Sequence, residues 1–296
     1  MTRLLAILGP TASGKSEIAL LLAGHLGAPI LSVDSMQVYR GMDIGTAKPT
    51  LEDRRRVRHF MIDLVEPEVA FTVAMFQREA RKVIGAGHDP VIICGGSGLH
   101  FRSVVDAMTF PPHAPAVRQE LEALSDPVAA LLEIDPEADQ VIDLANRRRV
   151  VRALEVWRLT GLTPTERAGA EEARALREYE PLYPFTAVGL DPGEQLEERA
   201  VARIEMMRQA GLLEEVGRLL GRLGPTAAGA VGYRQLTPVV TGELSEAAGW
   251  AAVRSETLAL ARRQRTFFGR DPRIRWVAWH DSPTRRLETV REALGL

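Results

Sequence analysis

The most informative feature of the sequence is a glycine-rich segment that directly follows the apolar run Leu4–Leu8. Glycines let the backbone turn so that consecutive N–H groups face an anion, and a helix that begins near Gly14 adds the positive end of its dipole. A lysine in such a loop reaches phosphate oxygens, and the next hydroxyl can bind Mg²⁺. The segment therefore predicts a phosphate or diphosphate site, although an ordinary turn between a strand and a helix is the alternative. It reads Gly9-Pro10-Thr11-Ala12-Ser13-Gly14-Lys15-Ser16.

A second polar segment, Ser32-Val33-Asp34-Ser35, ends the next strand-like stretch, Pro29–Val33. Parallel strands carry their ligands beyond their carboxyl ends, so Asp34 is expected at the same sheet edge as the glycine-rich loop. A carboxylate there can take a proton from a nucleophile that approaches the phosphorylated group. Asp is equally favoured as a cap of turns and helices, so both interpretations stay open.

A third segment, Gly95-Gly96-Ser97-Gly98, follows the apolar stretch Val91–Cys94. A nucleotide hydrolase usually has its Mg²⁺-organising aspartate at this place. Asp63 is the only other candidate for that role on a plausible strand. Because no such aspartate follows Val91–Cys94, ATP hydrolysis is disfavoured. A protein that holds diphosphate as a leaving group remains possible. The glycines would allow a close approach of the backbone to a ligand, with the Ser97 hydroxyl available for a hydrogen bond.

Arginine is concentrated in three places. Residues 254–275 hold seven arginines and two acidic residues, a net charge of +5, together with Phe267 and Phe268. Basic groups beside aromatic rings suit a nucleic-acid backbone and splayed bases, although the two rings could also be core. The segment Asn146–Leu159 is predicted to be a helix that is capped by Asn146 and ended by Gly161. Its Arg148, Arg149 and Arg152 could grip a phosphodiester backbone or be solvated. We interpret the cluster at 54–58 as a solvated helix face.

Composition limits the class of protein. The chain has 296 residues, 46% of them hydrophobic, a net charge of −2 and one cysteine, Cys94. A single cysteine excludes a disulfide framework and a cysteine zinc cluster. The N-terminus lacks the layout of a signal peptide, and no apolar run approaches the ~20 residues that span a bilayer. We expect a soluble cytoplasmic protein without a membrane partner.

The pattern of apolar residues predicts an α/β fold, with a P-loop parallel sheet flanked by helices and an inserted all-helical domain. Strand-like and helical stretches alternate up to residue 109, which is typical of a parallel sheet covered on both faces. The pattern breaks near Phe110, residues 116–177 read as helix only, and strand character returns at Phe185–Leu190. We therefore predict a core domain of residues 1–109 and 185–296 and a helical insertion at 110–184. The remaining predicted strands and helices are strands at Met61–Leu64 and Ile274–Trp279 and helices at Ser16–His25, Val73–Ala86, Glu194–Leu223, Ala247–Phe268 and Thr284–Leu294.

Taken in order, these motifs resemble those of the tRNA dimethylallyltransferase family, the isopentenyl transferases that act on tRNA, in its compact bacterial form. The likeness spans almost the whole chain, and the run at 34–49 is the most specific. Departures from the family pattern occur at His100, Gly229, Phe267 and Gly269, where tyrosine, arginine, tryptophan and a basic residue are usual. The matching runs are the loop at 9–16, Asp34–Pro49, Gly95–Leu99, Arg149, Arg152–Glu155, Gly232–Gln235 and Arg263-Gln264.

The resemblance implies that a dimethylallyl group passes from dimethylallyl diphosphate to the N6 amine of the adenosine directly 3′ of the tRNA anticodon. Asp34, Ser97 and Lys15 would then be catalytic, and the serine stands where the family usually has threonine. The loop at 9–16 would bind the diphosphate with Arg199 or Arg203, and Ser16 would hold Mg²⁺. The insertion would grip the anticodon loop of tRNA, and we expect a monomer. The positions that resemble tRNA contacts are Asp34, Ser35, Met36, Gln37, Ser97, Arg118, Arg148, Arg149, Arg152, Arg234, Arg262, Arg263 and Gln264.

Three other functions remain as alternatives. An isopentenyltransferase acting on free adenine nucleotide would have no use for a helical insertion and a strongly basic segment. A P-loop kinase for small molecules, with Asp34 as the base, would need the missing Mg²⁺-organising aspartate. A non-catalytic RNA-binding module would not need Asp34 and Ser97 at one sheet edge.

Overall fold

A computed structural model describes residues 2–296 and contains one parallel sheet of six strands. The strand order is β3-β2-β4-β1-β5-β6, so the first strand lies inside the sheet between β4 and β5. Leu8 is level with Gly95, and Ser32 is level with Cys94. The loops after β1, β2 and β4 therefore lie side by side at one edge. The strands are β1 Leu4–Leu8, β2 Ile30–Ser32, β3 His59–Phe60, β4 Val91–Gly95, β5 Phe185–Leu190 and β6 Ile274–Val277.

Helices cover both faces of the sheet, which confirms the predicted α/β class. All five residues of β1 are buried, because Leu4, Ala6 and Leu8 face one core and Leu5 and Ile7 face another. This two-sided burial explains why the strand reads as a continuous apolar run. The helices are α1 Lys15–Leu26, α2 Leu51–Arg56, α3 Val73–Gly85, α4 Gly98–Val105, α5 Pro115–Glu122, α6 Pro127–Ile134, α7 Arg147–Thr160, α8 Pro164–Gly169, α9 Glu171–Arg177, α10 Leu196–Gln209, α11 Leu212–Leu219, α12 Tyr233–Val240, α13 Glu246–Gly269 and α14 Pro283–Leu294.

The chain divides into two compact units, and the second unit runs from Asp106 to Leu182. This unit contains α5 to α9 and a core of its own, which includes Leu121, Leu131 and Leu154. As the sequence predicts, α7 begins after Asn146, whose side chain caps the helix, and ends at Gly161 in a left-handed conformation. The first unit holds the whole sheet and all remaining helices.

Three predicted elements differ from the structure. Residues Met61–Leu64 are not a strand, because Met61 and Asp63 have positive φ angles and the strand ends at Phe60. The predicted long helix at 194–223 is divided into α10 and α11 by Gly211, whose φ of 93° breaks the helical path. The last strand is shorter than predicted and ends at Val277. None of the helices in the described range has the length and apolar character required to cross a membrane.

Candidate active site

The glycine-rich loop connects β1 to α1 in a conformation that needs its glycines. A Cβ atom on Gly9 would lie 2.2 Å from the carbonyl oxygen of Leu190. Gly14 has a φ of 83° and directly precedes α1, so the first N–H groups of that helix face the loop. Ala12 also has a positive φ, 64°, which is strained for a residue with a side chain. The backbone is therefore shaped as an anion-binding loop.

Lys15 is buried inside this loop. Its Nζ donates a hydrogen bond to the carbonyl oxygen of Pro10 at 2.9 Å. The pKa of Lys15 is lowered to about 8, mainly by burial and also by the charge of Arg203, against the opposing effects of Cys94 and Asp34. The ammonium is thus held by a single loop carbonyl, ready to exchange it for a phosphate oxygen.

The two arginines predicted to bind diphosphate have different surroundings on α10. Arg199 Nε donates to the carbonyl oxygen of Ala12 at 2.9 Å, so this residue holds the outside of the loop. Arg203 makes no hydrogen bond or ion pair with any residue of the described chain, and burial lowers its pKa. Arg203 is therefore the more available donor for an anion.

Asp34 lies shortly after β2, and its two carboxylate oxygens have different surroundings. Its Oδ1 accepts hydrogen bonds from the backbone N–H groups of Met36, at 2.8 Å, and Gln37, at 3.2 Å. Its Oδ2 has no hydrogen-bond partner within residues 2–296, and the side chain lines the cavity described below. One oxygen caps a turn and the other is available to a ligand.

Ser97 lies beside the segment that follows β2, because Gly95 at the end of β4 lets the two backbones approach closely. A Cβ on Gly95 would lie 2.3 Å from the carbonyl oxygen of Val33, and the Ser97 N–H donates to that same oxygen. The Ser97 hydroxyl lies 2.7 Å from Nδ1 of His100, whose ring makes an edge contact with Phe76. Burial lowers the pKa of His100 to about 4. In the sequence, His100 stands out only because tyrosine is usual at this position in the family that the chain resembles.

Two side chains of α13 reach the same place. Gln264 Oε1 accepts the N–H of Thr11 at 2.7 Å, so this residue is bonded to the glycine-rich loop. A Cβ on Gly96 would lie 2.6 Å from Gln264 Nε2, and a Cβ on Gly98 would lie 2.0 Å from the ring of Phe267. Gln264, predicted from the sequence to contact RNA, thus bonds α13 to the glycine-rich loop and packs against Gly96.

The segment that follows β2 is fixed by its own hydrogen bonds and by α11. The Gln37 side chain donates to the carbonyl oxygen of Thr46 and accepts from Ser32. The buried carboxylate of Glu215 accepts from three consecutive backbone N–H groups, those of 43–45, and from the hydroxyl of Tyr233. Tyr233 is fully buried, so its ring is a structural element of this site.

Several of these groups line one cavity of about 770 Å³ in the first unit. A second cavity of about 810 Å³ lies on the other side of Arg203 and is lined by Ala12, Gly14 and Arg199. Arg203 lines both cavities. The predicted site residues that line the first cavity are Thr11, Lys15, Ser16, Asp34, Ser35, Met36, Gln37, Ser97, Arg203, Arg263 and Gln264.

The remaining predicted arginines differ in how strongly other side chains hold them. Arg152 donates to the carbonyl oxygens of Pro111 and Pro112 and to the fully buried Glu155. Arg118 pairs with Glu122, Arg149 lies 4.0 Å from Asp143, and Arg234 pairs with Glu256. Over the described range, Arg148, Arg262 and Arg263 have no ion-pair partner, and all three are exposed.

Asp63 is not placed to organise a metal. It lies beyond the edge strand β3, where its carboxylate pairs with Lys48 and Arg54. Burial raises the pKa of Asp63, but the hydrogen bonds from Lys48 and Arg54 outweigh it and lower the pKa overall. Lys48 itself is almost completely buried, so this lysine serves the fold.

Comparison with known proteins gives consistent matches. The family model described as IPP transferase matches residues 37–271. A protein of Moorella thermoacetica named tRNA dimethylallyltransferase is 43% identical, with 99% of this chain and 94% of the relative covered. One of the same name from Streptomyces avermitilis is 41% identical over 93% of this chain and 90% of the relative.

Solved structures are similar over the whole chain. A tRNA delta(2)-isopentenylpyrophosphate transferase from Staphylococcus epidermidis aligns with a TM-score of 0.71 and 30% identity, covering 100% of this chain and 99% of that one. A tRNA isopentenylpyrophosphate transferase from Bacillus halodurans aligns with a TM-score of 0.70 and 30% identity, covering 100% of this chain and 97% of that one.

Proposed function

This chain belongs to the IPP transferase family, whose curated relatives are named tRNA dimethylallyltransferases, and we propose that it prenylates tRNA. The reaction transfers a dimethylallyl group from dimethylallyl diphosphate to the N6 amine of the adenosine directly 3′ of the anticodon. The supporting observation is that Lys15, Arg203 and the free oxygen of Asp34 share one cavity. The site of action is the cytoplasm, where a bacterial tRNA pool is found.

Asp34 is the base in this proposal. The N6 nitrogen attacks the first carbon of the allyl group, the bond from that carbon to the diphosphate oxygen breaks, and diphosphate leaves. One amine proton passes to Oδ2 of Asp34, the oxygen without a hydrogen-bond partner in the described chain. The Ser97 hydroxyl accepts a hydrogen bond from the second amine hydrogen, which the product retains.

The leaving diphosphate is held by the loop at 9–16. The loop N–H groups, Lys15 and Arg203 stabilise the negative charge that builds up as the carbon–oxygen bond breaks. Ser16 fits one position of a Mg²⁺ shell, because its hydroxyl lines the cavity beside Lys15. Residues 2–296 contain no cluster of three metal-binding side chains, so diphosphate oxygens and water would complete the shell. Bound Mg²⁺ would neutralise part of the charge on the leaving group.

The target adenosine must be extruded from the anticodon loop of the tRNA to reach Asp34. Anticodon loops are single-stranded, and unstacked bases can be extruded into an enzyme pocket. The exposed arginines at 262 and 263, together with Arg148 on α7, are the basic groups proposed to bind the RNA backbone. In this proposal the helical unit grips the anticodon stem-loop and the protein acts as a monomer.

An acceptor assay tests the proposal. The protein is incubated with Mg²⁺, labelled dimethylallyl diphosphate and either unmodified tRNA or adenosine monophosphate. We expect label on tRNA alone, at the adenosine beside the anticodon. Label on the monophosphate alone would identify an enzyme acting on free nucleotide, and ATP-dependent phosphorylation without prenyl transfer would identify a kinase.

A further inference from the structure

A stack of three side chains lies against the outside of the glycine-rich loop. Two guanidinium groups lie over the indole of Trp279, with Arg199 Cζ 4.7 Å and Arg286 Cζ 4.9 Å from the ring centroid. Trp279 follows β6, and Arg286 belongs to α14. Both lie beyond residues 37–271, the part of the chain that matches the family model. Cation–π contacts of this length hold an aromatic ring in a fixed orientation.

The stack is joined to the loop by two hydrogen bonds. Trp279 Nε1 donates to the carbonyl oxygen of Ser13 at 2.9 Å, and Arg199 Nε donates to that of Ala12 at 2.9 Å. A trans peptide carries its C=O and its N–H on opposite sides. Because these two carbonyl groups are held outward, the N–H groups of Ser13 and Gly14 point inward. The Ser13 N–H donates a hydrogen bond to the carbonyl oxygen of Pro10, at an N···O distance of 3.3 Å, which leaves the Gly14 N–H as the one available to an anion.

Arg286 lies directly behind Gly14. A Cβ on Gly14 would be 3.3 Å from the guanidinium carbon, and the Arg286 side chain is only 2% exposed. Its Nη2 pairs with Glu17, while its Nε and Nη1 have no hydrogen-bond partner in the described chain. Burying a cation with unpaired N–H groups is costly. Its charge is placed where a bound anion would offset that cost.

We propose that Trp279 is a positioning residue, which holds the Ser13–Gly14 peptide so that its N–H faces the bound diphosphate, and that Arg286 holds Trp279. Arg199, whose guanidinium group also lies over the indole, acts in the same way. The inference rests on the proposed function only in taking diphosphate as the anion that the loop binds. Neither Trp279 nor Arg286 lines either of the two cavities, so both act through the loop.

The test is the variant Trp279→Phe, which keeps an aromatic ring in the stack and removes the indole N–H. Its control is Trp276→Phe on β6, an exposed tryptophan whose ring contacts Gly189 and not the loop. The dissociation constant of inorganic diphosphate with Mg²⁺ is measured by calorimetry. We expect W279F to raise it about tenfold, the equivalent of one well-formed hydrogen bond, and W276F to leave it unchanged.

Two further readouts separate positioning from a general loss of structure. The tRNA dissociation constant and the melting temperature of W279F should match those of W276F. The amide proton of Gly14, followed by NMR, should shift less on diphosphate addition in W279F than in the unaltered protein. In Arg286→Met, which keeps bulk but loses the charge, diphosphate affinity should fall at least as far as in W279F, whereas Arg286→Lys should retain part of it.

Unaltered diphosphate affinity and an unaltered Gly14 shift in W279F would overturn the inference. An equal loss of tRNA and diphosphate affinity would also overturn it, because the residue would then merely stabilise the fold. Since the probe is inorganic diphosphate, these outcomes do not depend on prenyl transfer. A protein that binds diphosphate normally but transfers no label to tRNA would refute the proposed function instead.

Discussion

The hydroxyl oxygen of Ser97 lies 2.7 Å from Nδ1 of His100. Because burial lowers the pKa of His100 to about 4, the ring is neutral at ordinary pH, and Nδ1 can accept a hydrogen bond from the Ser97 hydroxyl. The serine oxygen then presents its lone pairs to the cavity. His100 therefore orients the hydroxyl that is proposed to hold the substrate amine.

We expect His100→Phe to lower kcat for prenyl transfer about fivefold, the effect of one hydrogen bond, without changing KM for dimethylallyl diphosphate. Phenylalanine keeps the edge contact with Phe76, so the change removes mainly the hydrogen bond. Steady-state kinetics of H100F, S97A and the double variant measure the effect. The double variant should be no slower than S97A alone, because the histidine acts through the serine. Additive losses would contradict this relationship.

Asp34 is tested with two variants, because one of its oxygens caps the following turn. Asp34→Asn keeps an acceptor for the N–H groups of Met36 and Gln37 but cannot take a proton. We expect a loss of about 10² to 10⁴ in kcat with tRNA affinity unchanged. Asp34→Ala should show the same loss of kcat and also a lower melting temperature. Equal losses of turnover and tRNA binding in D34N would show that Asp34 has only a binding role.

Diphosphate binding should depend on the charge of Lys15. Its pKa is lowered to about 8, so the free protein loses this positive charge as pH rises through 8. An anion stabilises the ammonium, and we expect diphosphate affinity to fall with rising pH, by up to about tenfold for each unit above 8. Calorimetry near pH 8 in two buffers of different ionisation enthalpy should show proton uptake on binding. Lys15→Met should bind weakly with no pH dependence in this range, and a flat profile in the unaltered protein would contradict the prediction.

The lowered pKa of Lys15 should also make the stability of the ligand-free protein depend on pH, with a sign opposite to that for diphosphate affinity. The unfolded chain binds the Lys15 proton more tightly than the folded one, since 10.5 is the ordinary value and the folded value is about 8. The free energy of unfolding of the ligand-free protein should therefore rise as pH increases from about 8 to 10.5. Denaturant titrations of the unaltered protein and of K15M over this range isolate the contribution. An identical pH slope in the two proteins would refute it.

Arg262 and Arg263 are expected to bind RNA phosphates, because they are exposed and no ion pair holds them within residues 2–296. Replacing both with glutamine should weaken tRNA binding and reduce the slope of log affinity against log salt by about 0.7 to 0.9 per lost contact. Arg254→Gln is the control, since this arginine of the same helix pairs with Glu197. An unchanged slope in the double variant would remove these residues from the interface.

Local signals in the sequence predict most of the strands, the loop at 9–16 and the cap of α7, because each depends on neighbouring residues. The strand predicted at 61–64 is wrong because of tertiary contacts. Asp63 is bonded by Lys48 and Arg54 in a conformation with a positive φ, which a strand residue does not adopt. The division of the helix at Gly211 was a local signal that the apolar pattern on both sides obscured.

Only part of the site could be predicted from the sequence, because local patterns do not specify contacts between distant residues. Parallel topology brings Lys15, Asp34 and Ser97 to one sheet edge, and the sequence indicates that edge. The contacts of Trp279 with Ser13, of Gln264 with Thr11 and of Glu215 with the segment at 43–45 join residues far apart in the chain. Nothing in the local pattern of a tryptophan or a glutamine specifies such a partner.

Gly98 and Phe267 are coupled by size. The ring of Phe267 fills the space that any side chain at position 98 would need, and the same ring lines the cavity. A larger residue at 98 would thus be tolerated only alongside a smaller one at 267, and that exchange would reshape the entrance offered to an incoming nucleobase. Substitutions at these two positions should arise as pairs when the protein diversifies, and acceptor preference should change with them.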